Sequence, residues 1–168
     1  EYTLRAVGTH AEVWVASDSD PTSTALEFPA GDCRNDDGVR TEVTDEQVQY
    51  LLDELDDNIY PRESDLFSVA PPRDGTEAPL ADLLALPPDY YTGEGSRIVV
   101  LVDNFRDDNF YDTDNANTYS YVAGFYWGLF DFYVNRLVMN IDGWDWLHRT
   151  GDDPPNEPSA DPCTHAPA

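Results

Sequence analysis

Lysine is absent from this sequence: all nine basic residues are arginine, set against 34 aspartates and glutamates, for a formal net charge of −25. No basic patch can be assembled from so few cations, which excludes nucleic acid and anionic membrane surfaces as natural partners. Long apolar runs are lacking too, so nothing approaches the roughly 20 consecutive apolar residues of a membrane span. Histidine occurs three times, as His10, His148 and His165, with no His-x-x-x-His spacing and no Cys-x-x-Cys beside it. Zinc ligation by this chain alone is therefore not expected. No Gly-x-Ser-x-Gly, phosphate-cradling loop or dinucleotide fingerprint is present, and with this many acids a pair of carboxylates at glycosidase spacing would arise by chance.

Core-forming material, by contrast, is plentiful. Hydrophobic residues make up 40% and aromatics 12% of the 168 residues, including four Trp and ten Tyr. A disordered acidic tail would not carry them, and the length suits one domain. Residues 1–168 read as a single domain, or as the N-terminal part of one, with 152–168 an irregular Pro- and Asp-rich tail. Two causes of the acidity stay open: a surface solvated for high salt, or carboxylates gathered to bind calcium. The chain opens on Glu1 with no basic-then-apolar leader, the pattern of a mature or excised product of a secreted protein. In an exported protein, Cys33 and Cys163 are expected to form a disulfide tying the tail to the body; the alternative is two free thiols.

Along the chain, Tyr2–Val7 and Ala11–Ala16 are apolar runs parted by Gly8-Thr9, a hairpin signal, and 17–41 reads as a surface loop. Thr44 followed by Gln47 is a capping box, and Val48, Leu51, Leu52, Leu55 and Ile59 repeat at helical spacing. This predicts a helix over 45–58 with a solvated acidic face, stopped by Pro61. A short helix is expected over 79–86, a buried central strand over 98–102, and further strands over 119–127 and 137–141. The order argues for an α+β or α/β fold.

The densest polar stretch follows the central strand: Asp103, Asn104, Asp107, Asp108, Asn109, Asp112, Asp114, Asn115 and Asn117. Calcium takes about six to eight oxygen ligands, and Asp103, Asn104, Asp107, Asp108 and Asp112 are the candidate set. The spacing is not that of an EF-hand loop, and Asx residues also favour turns for reasons of their own.

Four strings taken together suggest a family. They are Arg97-Ile-Val-Val-Leu-Val-Asp-Asn-Phe-Arg-Asp-Asp-Asn-Phe-Tyr111, Tyr121-Val-Ala-Gly-Phe125, Asn135-Arg-Leu-Val-Met-Asn-Ile-Asp142 and Trp144-Asp-Trp-Leu-His-Arg-Thr-Gly151. In this order they resemble the region just upstream of the catalytic helix in secreted zinc metallopeptidases of the immune inhibitor A-like kind. The resemblance implies a zincin-like mixed sheet with one main packed helix and long acidic loops, and an edge strand that receives a peptide substrate by strand addition. It also implies a downstream His-Glu-x-x-His helix as the source of zinc and general base. Ala168 is reached before any such motif, and no residue here matches those ligands. The functional expectation is thus the non-catalytic upstream portion of a secreted zinc metalloendopeptidase-like protein. Its partners would be a protein or peptide substrate and the downstream half of its own protein, with zinc held only by that downstream segment. The alternative is a catalytically inactive extracellular binding or structural module, stabilised by calcium.

Overall fold

The computed structural model describes residues 2–16, 26–28, 30–35, 41–107, 110 and 122–149, and the structural statements below refer to these. Five strands form one open mixed sheet in the order β1-β2-β3-β5-β4. They are β1 (Tyr2–Val7), β2 (Ala11–Ala16), β3 (Ile98–Asp103), β4 (Gly124–Phe125) and β5 (Leu137–Asp142). β2, β3 and β5 run parallel, whereas the outer strands β1 and β4 are antiparallel to their neighbours. The architecture is α+β, as expected.

Strand alternation sorts the core into two layers. Ala11, Val13 and Val15 of β2 and Val100 and Val102 of β3 face one side, where Val48, Leu52 and Leu55 of the main helix and Leu147 pack on them. Val99 and Val138 point the other way, with Trp14 and Leu101, and meet Val134, Phe130 and Leu80. The second layer comes from α3 (Pro79–Leu83) and α4 (Gly128–Val134), while α5 (Gly143–Arg149) brings Leu147 to the first. Helices on both faces explain why β3 is apolar at nearly every position rather than alternating.

The main helix starts where the capping box puts it. Thr44 Oγ1 accepts from the Gln47 amide at 3.3 Å and Gln47 Oε1 accepts from the Thr44 amide at 3.0 Å. It does not stop at Pro61. α1 (Asp45–Glu54) runs through a wide turn at Leu55–Ile59 into α2 (Tyr60–Phe67). In that turn the Tyr60 amide donates to the Leu55 carbonyl, five residues back, so Pro61 enters at the first turn of α2, where its missing N–H costs least.

The hairpin is locked onto this turn. The Thr9 and His10 amides donate to the two Asp56 carboxylate oxygens at 2.6 and 2.7 Å, and the His10 ring stacks on Tyr60 at 3.9 Å. A Cβ on Gly8 would lie 2.2 Å from Asp56 Oδ2, so only glycine lets the turn approach. The short helix expected over 79–86 ends at Leu83, because Ala85 adopts φ 53° while the Leu86 amide reaches back to the Ala81 carbonyl at 2.9 Å. The strand expected over 119–127 shrinks, among the described residues, to Gly124–Phe125, and the chain turns at once into α4.

Candidate functional site

The parallel strands β3 and β5 end side by side at Asp103 and Asp142, which are register partners. Burial of the preceding valines carries both carboxylates to the same end of the sheet, where the N-terminus of β1 also lies. The Tyr2 hydroxyl donates to Asp103 Oδ2 at 2.6 Å and the Asn104 amide to Oδ1 at 2.8 Å. Asp142 Oδ2 accepts from the Phe105 amide at 2.7 Å. Buried Asn104 donates its Nδ2 to the Glu27 carbonyl at 2.8 Å. Asp107 uses both oxygens, taking the Phe110 amide at 3.2 Å and the Val122 amide at 3.1 Å, and so holds two points of the chain 12 residues apart.

Beside these carboxylates lies a group that sequence reasoning missed. Arg34 is buried, donates to Asp32 and, at 2.8 Å, to the Phe110 carbonyl, and places its guanidinium 3.9 Å from the Phe28 ring centre. Phe28 in turn meets Trp144 edge-on at 5.0 Å. Burial pushes the Asp32 carboxyl up, but the bonds and charge of Arg34 outweigh it and hold the group below the usual carboxylate range. Arg34, one of two arginines in an Asp-rich loop, gave no signal, because its role depends also on the Phe110 carbonyl and the Trp144 ring, more than 75 residues downstream.

Of the candidate calcium ligands, Asp103, Asn104 and Asp107 are thus brought to one end of the sheet, each engaged with the protein's own hydrogen-bonding groups. Asp108 and Asp112 lie outside the described residues. Among the described residues no three His, Cys, Asp or Glu side chains converge as a metal-holding group. Cys33 opens a short 3₁₀ turn next to Arg34, and no described cysteine is a free thiol; Cys163 lies outside the described residues. His10 sits at the opposite, amino-terminal end of β2. His148 belongs to α5, its side chain outside the described set, as is His165 altogether.

The second feature is the β5–β4 side of the sheet. β4 pairs antiparallel with β5 through Gly124↔Ile141 and Phe125↔Asn140 and is the last strand. A Cβ on Gly124 would stand 2.8 Å from the Asn140 carbonyl oxygen, which is why glycine occupies this edge. Around it Val122, Phe125, Tyr126, Trp127, Leu129 and Phe132 are exposed. On the face covered by α1, Val100 of β3 is 0% exposed, whereas its neighbour across the ladder, Met139 of β5, is 42% exposed. The layer that seals β2 and β3 leaves the middle of β5 open.

No protein-family model, curated protein or solved structure matches this chain.

Proposed function

We propose that this chain is the sheet-bearing, upstream portion of a secreted zinc metalloendopeptidase-like domain, completed by a downstream helix that carries His-Glu-x-x-His. The observation that carries the reading is the open strip over β5. Met139 stands on a sheet face sealed elsewhere, next to Val100, and a long amphipathic helix laid beside α1 would cover it. Support also comes from the antiparallel edge strand β4, whose outer side can take an extended peptide by strand addition. In this reading the chain supplies the floor and the substrate edge, and the downstream helix supplies the metal and the base. Those two histidines would hold zinc and the Glu would activate its water.

The test is to express the gene product with the 50 or so codons that follow Ala168 and to measure bound zinc and cleavage of an unstructured protein. One zinc per chain, and activity lost when the Glu of the new motif becomes Gln, are expected. Absence of His-Glu-x-x-His from those codons overturns the reading.

The exposed aromatics Tyr126, Trp127 and Phe132 favour a second reading, an extracellular binding module in which these rings make contacts and no bond is cleaved. Calcium bound by Asp103, Asn104, Asp107, Asp108 and Asp112 would stabilise either protein. Both readings place the protein outside the cell.

A further inference from the structure

Asp131 is the most deeply buried acid among the described residues, at 1% exposure, and it lies on α4, the helix that also carries the exposed Leu129 and Phe132. Its Oδ1 accepts from the Val138 amide at 3.1 Å, which ties the helix to β5 across the turn through Asn135. Its Oδ2 is buried and makes no well-aligned hydrogen bond, the Tyr126 hydroxyl being the polar side-chain group that reaches the carboxyl. A carboxylate in this position would carry a full charge away from water with the Val138 amide as its one well-aligned donor, an expensive arrangement; a neutral carboxyl would not. We propose that Asp131 is a proton-operated latch: neutral, it holds α4 against β5, and on ionisation it loosens α4 together with the aromatic surface that flanks β4. This holds whether the chain is half of a peptidase or a binding module.

The surroundings favour the neutral form on balance. Burial raises the carboxyl above its ordinary range, opposed by the Val138 amide, the Tyr126 hydroxyl and the charge of Arg73. Arg73 spends its Nη1 on the Asp131 main-chain carbonyl at 3.2 Å rather than on the carboxyl. From the other elements packed here, Asp82 of α3 is exposed, and Asp142, the one acid of β5, lies at its far end on Phe105. Arg136, just before β5, is turned to Glu12 at 2.8 Å and to the Tyr91 carbonyl at 3.2 Å. Among the described residues no cation forms an ion pair with the Asp131 carboxyl, and Arg73 acts on it through its charge alone. The sign follows: a carboxyl raised in the fold contributes its stability in full below the unfolded value and loses it as pH rises through the folded one.

The experiment compares melting temperatures of wild type and Asp131→Asn between pH 4.5 and 8. Asn keeps an oxygen for the Val138 amide and cannot ionise. The difference, variant minus wild type, should rise with pH by about 2–4 °C or more, a comparison in which the other acids cancel. A difference constant across the range would overturn the latch and leave Asp131 a purely structural group. Should the variant fail to fold, hydrogen exchange of the wild type decides. Corrected for intrinsic rates, protection of α4 amides should fall relative to β3 as pH rises, and an unchanged ratio contradicts the proposal.

Discussion

At the scale of single residues, the structure is held by groups whose roles depend on one atom of clearance. Gly8 and Gly124 are such positions, and Ala85 is the reverse case, a residue placed where glycine belongs. Its φ of 53° closes α3 with the two back-bonds of a Schellman turn, the Ala85 amide to the Asp82 carbonyl and the Leu86 amide to the Ala81 carbonyl. A Cβ in the left-handed region costs more than the chain entropy it saves. Ala85→Gly should therefore stabilise the protein by up to ~1 kcal/mol in urea unfolding, with no change in slope.

Buried Arg136 has the opposite sensitivity. Its Nη2 meets Glu12 at 2.8 Å, both side chains are nearly sealed, and Gly93 packs flat on the guanidinium. Glu12→Ala would strand this cation and should cost about 3–5 kcal/mol; Glu12→Leu with Arg136→Met should cost distinctly less, because no charge is then left buried. Equal costs for the two variants would show that the pair matters for packing alone.

At the scale of elements, the sequence was most legible where periodicity and capping agreed. The hairpin, the capping box at Thr44 and the central strand 98–102 appear where the residues put them. Pro61 misled because its effect is local to one missing N–H, and a single wide turn at Leu55–Ile59 removes the conflict without ending the helix. The strand expected over 119–127 fell short for another reason: past Phe125 the chain turns into a helix in which Phe130 and Val134 lie one turn apart and bury together against Val138. Asp131 and Arg34, the two buried charged groups most open to functional interpretation, were illegible. A lone acid among aromatics and an arginine in an Asp-rich loop are ordinary in sequence and acquire meaning only from what surrounds them.

At the scale of the whole molecule, a charge of −25 must be managed by salt or by bound cations. Screening at molar ionic strength acts over about 3 Å and relieves repulsion everywhere, whereas calcium would act at the Asp103–Asp112 stretch. Melting temperature should rise with NaCl. A further rise with millimolar calcium in molar NaCl, absent in Asp108→Ala, supports the metal; no further rise leaves a solvated surface only. Asp108 is the better probe, since Asp107→Ala would also release the Phe110 and Val122 amides. The expected Cys33–Cys163 bridge, closing a loop well over 100 residues long, would contribute about 4–5 kcal/mol in the chain-entropy account. The intact mass without reductant should fall short of the two-thiol mass by two hydrogens.

The central claim is that the open face of β5 belongs under a downstream helix, and Met139 reports on it directly, being the one methionine in the chain. Peroxide oxidation followed by peptide mapping gives its rate in this chain alone and in the longer gene product. The account predicts oxidation at the rate of an accessible thioether in the former and a drop of at least tenfold in the latter, as the helix covers the sulfur. Equal rates in the two would mean that nothing downstream packs on β5 and would contradict the account.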